Sequence, residues 1–280
     1  MTKILLTGAS GFIGSTFIKE YQEKYDIKEF SFLHDKLDTL NLLTTDVIIH
    51  LSALVHQMGG ATFEEYYRVN VKQTVDLAKK AKNNGVNKFI FMSSVKVYGE
   101  ESDFPYTEST LCLPQDDYGK SKLEAEKKLK ELEDEYFQVV IIRTPIVYGY
   151  GVKANIKNLI SLVEKVPFLP FGKIENRRSM IYVGNLCFII DNIIDEKREG
   201  VFVVADEEVV STTQLIEYIS DTLGKKVYLF KLPFFASLLH LIKPSLYKRL
   251  FESLEVNSNF RKKLPYKMLD GIRYMIEGEK

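Results

Sequence analysis

The feature that most constrains this 280-residue chain is a glycine-rich turn between its first apolar run and its first helical segment. The run 4–6 is followed by Gly8-Ala9-Ser10-Gly11-Phe12-Ile13-Gly14, after which apolar residues recur at helical spacing. Glycines permit a tight turn and let backbone N–H groups approach an anion at the positive end of a helix. The segment therefore predicts a strand–turn–helix unit that binds a pyrophosphate.

Strand-like and helix-like segments alternate through the first half of the chain. Short apolar runs rich in β-branched and aromatic residues are typical of strands that a sheet buries on both faces. Apolar residues three and four positions apart are typical of helices that pack on such a sheet. The runs occupy residues 4–6, 30–33, 47–49, 89–91 and 139–142, and the helical segments occupy residues 12–25, 63–84 and 118–136. We predict an α/β fold with a Rossmann-like doubly wound parallel sheet.

One crossover is too short for a complete sheet of this kind. Thirteen residues, 34–46, separate the second strand-like run from the third. A parallel crossover alone takes about a dozen residues, so a helix, a further strand and two loops do not fit. We therefore predict that the outer strand of this half is missing or vestigial and that the chain crosses almost directly back to the sheet.

The regular alternation ends after Gly149. A strand is expected at residues 201–204 and a helix at 212–223, where Ser211 and Gln214 form a capping-box pattern. We predict a dinucleotide-binding domain in residues 1–150, completed by a strand from the C-terminal half. Residues 151–280 are expected to form mainly a smaller mixed α/β lobe that binds the substrate.

Net charge, the apolar stretches and the two cysteines indicate which kinds of partner and which cellular location to expect. Thirty-eight basic residues balance 38 acidic ones, so no global field favours nucleic acid or an acidic membrane. The apolar stretch 232–242 falls far short of the roughly 20 residues of a membrane span, and we expect a packed helix or a substrate lid there. The N-terminus lacks a signal-peptide pattern. Cys112 and Cys187 lie in no metal or disulfide motif, which fits a reducing cytoplasm.

Asp35 is a candidate for recognising the adenosine ribose of a dinucleotide. It lies 21 residues after Gly14, at the end of the second strand-like run. A carboxylate there favours NAD, and the segment carries no arginine for a 2′-phosphate. Lys36 and Asp38 are close by, so a solvated loop charge explains Asp35 equally well. The choice between NAD and NADP stays open.

Tyr118 and Lys122 lie one helical turn apart on a predicted inward stripe. An ammonium close to a phenol stabilises the phenolate and lowers a pKa that is about 10 in water. Such a tyrosine can exchange a proton with a hydroxyl while hydride moves to or from a nicotinamide. Ser94, at the carboxyl edge of the sheet, is our choice for orienting the substrate oxygen. A surface Tyr/Lys pair with two strand-capping serines is the structural alternative.

Together these motifs resemble the extended short-chain dehydrogenases/reductases of the sugar-nucleotide epimerase and 4-ketoreductase group, the NAD-dependent epimerase/dehydratase family. The glycine turn, the Tyr118-Gly-Lys-Ser-Lys122 motif and the run from Ser93 to Gly99 match in order and spacing. The resemblance implies that Ser94, Tyr118 and Lys122 are catalytic. It implies cofactor contacts from Gly8, Ser10, Gly11, Phe12, Ile13, Gly14, Asp35, Leu51, Ser52, Ala53, Asn70, Ser93, Tyr118, Lys122 and Pro145.

The second half resembles the family's substrate-binding segments. The run from Val147 to Asn155 is similar to a loop whose asparagine meets a nucleotide diphosphate, and Arg177-Arg178 is similar to the segment that clamps it. The resemblance implies substrate contacts from Ser94, Asn155 and Arg178, and it implies a UDP-linked substrate. Asn185 replaces the family's usual acid. No metal or nucleic acid is expected, and the resemblance suggests a homodimer.

The resemblance leaves two reactions at C4 of the sugar. Val95 and Lys96 stand where the dehydratase branch carries an Asp-Glu pair, so 4,6-dehydration is not expected. The short crossover 34–46 leaves less protein over the adenosine end, which favours a cofactor that exchanges. We therefore favour a reductase of a UDP-4-keto-6-deoxyhexosamine in surface-polysaccharide synthesis. A UDP-hexose(amine) 4-epimerase is the first alternative. A non-catalytic nucleotide-sensing protein of the same fold is the second, and the intact Ser94–Tyr118–Lys122 set argues against it.

Overall fold

The computed structural model describes residues 1–55, 61–152, 155–196 and 199–278, apart from the side chain of Asn155. The chain divides into two compact units. Unit 1 comprises Met1–Gly99, Glu108–Thr144 and Leu186–Val204, and unit 2 comprises Glu100–Thr107, Pro145–Asn185 and Ala205–Lys280. The predicted assignment of a dinucleotide domain to residues 1–150 and of a substrate lobe to residues 151–280 stays a prediction.

Strands and helices follow one another in the order that the sequence patterns suggest. The strands are β1 (Lys3–Thr7), β2 (Asp26–Phe30), β3 (Val47–His50), β4 (Lys88–Ser94), β5 (Gln138–Thr144), β6 (Ile146–Tyr148), β7 (Phe168–Leu169), β8 (Met180–Tyr182), β9 (Gly200–Val203) and β10 (Tyr228–Leu229). The helices are α1 (Phe12–Tyr21), α2 (Phe63–Tyr66), α3 (Gln73–Asn83), α4 (Asp117–Lys130), α5 (Asn155–Lys165), α6 (Val183–Asp195), α7 (Thr212–Thr222), α8 (Phe235–Ile242), α9 (Pro244–Phe251) and α10 (Met268–Glu277). A π-helical segment, Tyr67–Lys72, joins α2 to α3.

Unit 1 is built on a six-stranded parallel sheet, which confirms the predicted fold class. The strand order is β2-β1-β3-β4-β5-β9. The chain runs outward from β1 to β2 and then builds the rest of the sheet on the other side of β1. The switch point therefore lies between β1 and β3, at whose carboxyl ends ligands bind in such sheets. Every residue of β3 is buried, as the continuous apolar run indicates.

The predicted loss of an outer strand is confirmed. Between β2 and β3 the chain forms a single short 3-10 turn, Leu37–Thr39, and β2 is left as the edge strand. The predicted position of β2 at residues 30–33 is wrong, because the strand is Asp26–Phe30. As an edge strand it pairs with β1 alone and buries only Phe30, so it carries no apolar run.

The predicted helix 118–136 is too long, since α4 ends at Lys130. Asp134 stops the helical pattern after this point by accepting hydrogen bonds from the backbone N–H groups of Tyr136 and Phe137, both at 2.9 Å. Tyr136 is consequently 75% exposed and does not belong to the inward stripe.

In its described residues, unit 2 contains two small parallel sheets, β6–β8 and β7–β10, and five helices, in agreement with a smaller mixed α/β lobe. The capping box of Ser211 and Gln214 at the start of α7 is confirmed. Asp206 is buried and accepts hydrogen bonds from Tyr148 Oη at 2.7 Å and Asn185 Nδ2 at 2.8 Å. The family's usual acid at position 185 would set two carboxylates together, whereas the asparagine donates to Asp206.

The apolar stretch 232–242 contains a helix, α8, which packs only in part on unit 2, and the role of a substrate lid stays a prediction. No residue of α8 or of the following α9 is buried. Within the described ranges, no helix is both long enough and apolar enough to cross a membrane.

A buried ion pair fixes α4 on the sheet of unit 1. Glu126, on α4, accepts hydrogen bonds from Arg143 Nε at 3.1 Å and Nη2 at 2.5 Å. The same carboxylate accepts a hydrogen bond from Ser93 Oγ at 2.5 Å, and Arg143 Nη1 donates to Tyr98 Oη at 2.7 Å. Because Ser93 lies on β4 and Arg143 on β5, the network ties α4 to two neighbouring strands.

We expect Arg143→Met to lower the free energy of unfolding by about 3–5 kcal/mol, because it leaves the Glu126 carboxylate buried without its guanidinium partner. The exposed pair of Lys72 Nζ and Asp76 Oδ2, 2.6 Å apart on one helical turn, provides the control. Lys72→Met should leave the same free energy nearly unchanged, because water and salt screen an exposed ion pair. Urea denaturation measures both. Equal costs for the two variants would contradict a structural role for the buried pair.

Candidate functional site

The glycine turn of unit 1 packs too closely against its neighbours to accept side chains. Gly8 has a φ of +72°, and a Cβ atom there would lie 2.8 Å from the backbone nitrogen of Ser52. A Cβ atom on Gly14 would lie 2.3 Å from the carbonyl oxygen of Gly8. Glycine is therefore required at both positions, the first for its backbone conformation and the second for its contact with the turn.

The turn forms one wall of a cavity of about 700 Å³ at the switch point of the sheet. The cavity is lined by Gly8–Gly14, by residues 29–35 at the end of β2, and by Leu51, Ser52, Ala53 and Val55 after β3. Gly11 precedes α1 and has no side chain that could cap the helix. The backbone N–H groups at the start of α1 can therefore donate hydrogen bonds to an anion. These residues fit the pyrophosphate and adenosine of a dinucleotide, and they include the predicted Ser10, Phe12 and Ile13.

Asp35 lies in the lining of this cavity and is exposed. Its Oδ2 accepts a hydrogen bond from the backbone nitrogen of Ser31 at 2.8 Å. The carboxylate therefore closes the turn after β2. Its second oxygen is the atom that would remain for a ribose hydroxyl.

Asn70 is fully buried in the π-helical segment and connects two parts of the site. Its Oδ1 accepts from Leu54 N at 2.8 Å, while its Nδ2 donates to Leu54 O at 3.0 Å and to Ser121 Oγ at 3.0 Å. Leu54 belongs to the chain that leaves β3, and Ser121 belongs to α4. Asn70 thus holds the cavity wall against the helix that carries Tyr118 and Lys122, and π-helical segments are common at functional sites.

Ser94 and Tyr118 are brought together at the carboxyl end of β4. Ser94 ends the strand, its Oγ accepts a hydrogen bond from Lys96 N at 3.3 Å, and the serine hydroxyl is close enough to the Tyr118 phenol to lower the pKa of that phenol. Tyr118 is the second residue of α4, which Asp116 caps by accepting from Gly119 N at 2.7 Å. Burial raises the pKa of the Tyr118 phenol, the Asp116 carboxylate adds to this shift, and the Ser94 hydroxyl opposes it. The phenol is therefore held in its protonated form at neutral pH.

Lys122 is buried one turn further along α4. Its Nζ donates to the carbonyl oxygen of Met92 at 2.8 Å and lies 4.5 Å from the centre of the Phe91 ring. The distance from Nζ to the centre of the Tyr118 ring is 6.0 Å. Burial lowers the pKa of Lys122 to about 7, against an opposing attraction from Glu126.

The expected lowering of the Tyr118 pKa by Lys122 is not found. The Lys122 Nζ donates to the Met92 carbonyl oxygen and lies 6.0 Å from the centre of the Tyr118 ring, and burial raises the pKa of the phenol. The structure does place Ser94, Tyr118 and Lys122 in one unit and on two adjoining elements, β4 and α4.

Ser93 is a predicted cofactor contact, and its hydroxyl donates a hydrogen bond to the Glu126 carboxylate. Its contact with the cofactor stays a prediction. Glu126 itself and Arg143 were not anticipated. A signal existed for each, since Glu126 follows Lys122 by one helical turn and Arg143 interrupts the apolar run of β5. Pro145 is buried directly after β5, and within the described ranges neither Cys112 nor Cys187 forms a disulfide.

Unit 2 separates the two neighbouring arginines. Arg177 is 63% exposed and forms a bidentate ion pair with Glu255, at 2.5 and 2.8 Å. Arg178 instead lines a small cavity together with Arg249, on α9. Its Nη1 donates to the carbonyl oxygen of Glu252 at 3.0 Å, and burial together with the charge of Arg249 lowers its pKa. Two cations beside one cavity suit an anion with two charged groups.

Arg249 was not anticipated, because 71 residues separate it from Arg178 in the sequence. Asn155 is the first residue of α5, and its predicted substrate contact concerns a side chain that lies outside the described part of the molecule.

Comparison with known proteins identifies relatives of this chain. A family model described as the NAD dependent epimerase/dehydratase family matches residues 4–205. A UDP-glucose 4-epimerase from Vibrio cholerae is 38% identical over 257 residues, which cover 82% of this chain and 78% of the relative. An N-acetyl-alpha-D-glucosaminyl-diphospho-ditrans,octacis-undecaprenol 4-epimerase from Escherichia coli O157:H7 is 30% identical, covering 82% and 75% of the two chains.

A dTDP-4-dehydro-6-deoxyglucose reductase from Escherichia coli is 28% identical, with 80% of this chain and 82% of the relative covered. Among solved structures, a UDP-glucuronic acid 4-epimerase from Bacillus cereus in complex with NAD superposes with a TM-score of 0.80 at 20% identity, covering 99% of this chain and 98% of the other. That structure shares the fold described above. On the family match and the 38% identity, the chain belongs to the NAD dependent epimerase/dehydratase family.

Proposed function

We propose that this chain is an NAD(P)-dependent oxidoreductase acting at C4 of a nucleotide sugar, and that it reduces a UDP-4-keto-6-deoxyhexosamine. The observation that carries the choice of a reductase is the short connection between β2 and β3. It forms a single 3-10 turn and leaves β2 as the edge of the sheet. Because little protein follows β2 beside the cavity, a dinucleotide can leave and be replaced at each turnover, as a reductase requires.

A bound nicotinamide cofactor would supply the hydride that the reduction needs. Tyr118 is the proposed proton donor to the oxygen at C4, and Ser94 is proposed to orient that oxygen by hydrogen bonding. Burial raises the pKa of Tyr118, so the phenol is protonated at neutral pH, which is the form that a proton donor needs.

NAD is the dinucleotide that the cavity residues favour. Asp35 lies in the lining, where a carboxylate accepts hydrogen bonds from a ribose and repels a 2′-phosphate. The first arginine of the chain is Arg68, so residues 29–46 supply none for that phosphate. Lys122 is proposed to reach the nicotinamide ribose.

Arg178 and Arg249 are the proposed partners of the substrate diphosphate in unit 2. Guanidinium groups bind phosphate oxygens in a bidentate way and keep their charge at every working pH. The relatives differ in what carries their sugar: one acts, by its name, on a glucosaminyl diphosphate attached to undecaprenol. The diphosphate is common to that compound and to nucleotide sugars, and it is the group that two arginines fit.

A 4-epimerase is the second candidate function, and the relatives from Vibrio cholerae and Escherichia coli O157:H7 favour it by name. An epimerase returns the hydride to the same sugar and keeps its NAD throughout. The two candidates therefore differ in whether the dinucleotide exchanges. A cytoplasmic location and a homodimer stay predictions for either candidate.

Incubation of the purified protein with UDP-4-keto-6-deoxy-GlcNAc and NADH or NADPH tests the proposal. We expect oxidation of the reduced cofactor and a UDP-6-deoxyhexosamine product, which NMR identifies. We also expect little nicotinamide to be released on denaturation of the protein as purified, because the open cavity gives a dissociation constant in the micromolar range, about −8 kcal/mol. Stoichiometric, non-exchanging NAD and interconversion of UDP-hexoses would replace the reductase by the epimerase.

Tyr118→Phe removes the proposed proton donor without changing the ring. We expect turnover to fall by at least about 100-fold, the scale of a positioned acid, with folding and cofactor affinity intact. Tyr136→Phe, at a side chain that is 75% exposed, should leave turnover unchanged. Steady-state kinetics at saturating substrate measures both variants, and near-normal turnover of Tyr118→Phe would refute the assignment.

Cofactor affinity should depend on the charge of Lys122. With a pKa lowered to about 7, the ammonium form dominates below pH 7 and is lost above it. We expect the dissociation constant for NADH to be flat below pH 7 and to rise above it, by at most about tenfold per pH unit. Lys122→Met should bind NADH more weakly and without this rise. Fluorescence titration measures the dissociation constant at each pH. His50 does not contribute to the pH dependence, because burial lowers its pKa to about 3 and it stays neutral over the measured range.

A rise that persists in Lys122→Met would assign the pH dependence to another group. Binding by the parent protein that stays constant from about pH 6 to 9 would remove the proposed role of the ammonium.

Arg178→Ala should raise the Michaelis constant for the nucleotide sugar by an amount equivalent to about 1.5–3 kcal/mol, the value of a charge-assisted hydrogen bond. NADH affinity should barely change. Arg177→Ala is the matched control, because Arg177 is adjacent in sequence but pairs with Glu255. Its Michaelis constant should stay within about twofold of the parent value. Equal losses of substrate and cofactor affinity in Arg178→Ala would indicate a folding defect.

A further inference from the structure

Helix α8 presents an apolar face that unit 2 does not cover. Its sequence, FASLLHLI, contains no Asp, Glu, Lys or Arg, yet none of its residues is buried. Leu238, Leu241 and Ile242 share one side of the helix and are 55%, 82% and 62% exposed, and the preceding Phe234 is 85% exposed. These four residues are the α8 face.

A neighbouring side of α8 packs on unit 2. The ring of Phe235 lies 5.9 Å from that of Phe171 and 6.2 Å from that of Phe251, measured between ring centres. Phe235, Ala236 and Leu239 are half-buried, and the α8 face lies beside them and stays exposed. The backbone of Phe234 has a φ of +62°, a left-handed conformation that a bulky residue rarely adopts. The large exposed ring is thus held at a strained position.

The segment around the α8 face has a strong positive charge. Residues 225–251 contain six basic residues and no acidic residue, although the whole chain has a net charge of zero. The six are Lys225, Lys226, Lys231, Lys243, Lys248 and Arg249. Lys231 and Lys243 flank α8 at its two ends, and both are exposed. A partner that complements this segment must therefore offer apolar groups to the α8 face and negative charges to the lysines that flank it.

We infer that the α8 face docks on the surface of a bilayer that contains anionic lipids. Helix α8 has eight residues and lies in the interface, with Phe234, Leu238, Leu241 and Ile242 among the upper acyl chains. Lys231 and Lys243 then lie at the level of the lipid phosphates, where basic residues are attracted to the surface. A second copy of the chain is a poorer partner, because a two-fold contact through this segment would place like charges against each other.

The docking surface is continuous with the candidate diphosphate site. Helix α9 follows α8 after one residue, and Arg249 and Leu250 of α9 line the cavity that holds Arg178. The inference goes beyond the proposed reaction, because it concerns where unit 2 binds and not what happens at C4. Membrane binding and catalysis can accordingly be measured apart.

Flotation of the full-length protein with lipid vesicles tests the inference. We expect binding to vesicles of phosphatidylglycerol and phosphatidylcholine, little binding to pure phosphatidylcholine, and weaker binding at high salt. The double variant Leu238→Ser/Leu241→Ser should lower the partition coefficient at least about tenfold. Leu43→Ser, at an exposed leucine of unit 1, should leave it within about twofold.

The charge requirement has its own pair of variants. Lys231→Glu/Lys243→Glu should lower the partition coefficient at least about tenfold, whereas Lys130→Glu, at the exposed end of α4, should change it little. Thermal unfolding and NADH binding of each variant establish that it is folded. Absence of binding to the anionic vesicles, or binding that neither double variant reduces, would overturn the inference. So would a lipid-free dimer that Leu238→Ser/Leu241→Ser dissociates, because a second copy would then cover the face.

Discussion

The candidate active site depends on a carboxylate and a guanidinium that are buried together inside unit 1. Glu126 and Arg143 are 4% and 7% exposed at their side chains, and each would be costly to bury alone. Their bidentate contact, joined by Ser93, sets the position of α4 along β4 and β5. Tyr118 and Lys122 lie on that helix and Ser94 on that strand. The geometry that brings these three together therefore follows from the same pair.

The pair also acts on the charge of the site. Burial alone would leave Lys122 neutral, and the Glu126 carboxylate one turn away opposes this effect. The resulting pKa of about 7 keeps the group close to its titration point at neutral pH. The pKa of Tyr118 is raised by burial, and the Lys122 Nζ lies 6.0 Å from the centre of the Tyr118 ring. The phenol is therefore protonated at neutral pH, whereas Lys122 is close to its titration point.

Local patterns predicted the parts of the fold that bury apolar runs or need glycine. These patterns predicted the turn from Gly8 to Gly14, the central strands and the helix that carries Tyr118. The 13-residue crossover predicted that no strand lies outside β2. The strand β2 itself was misplaced because it is an exposed edge strand whose residues carry no apolar pattern.

Contacts between distant residues explain what the sequence could not reveal. Glu126 stands among many charged residues of α4, and only the fold shows that Arg143 is its partner. The direction of the Lys122 side chain depends on a carbonyl from β4 that is 30 residues away. Arg249 joins Arg178 through the packing of unit 2, and the uncovered state of α8 is visible only once its neighbours are placed.

In the proposed reaction, hydride reaches C4 of the sugar from a dinucleotide that enters and leaves the cavity beside the glycine turn. Transfer of deuterium from NADH that is deuterated at the transferred position of the nicotinamide tests this directly, with UDP-4-keto-6-deoxy-GlcNAc as the acceptor. We expect one deuterium at C4 of the product for each NADH oxidised, through many turnovers. A product without deuterium at C4, or incorporation limited to a single turnover by tightly held NAD, would contradict it.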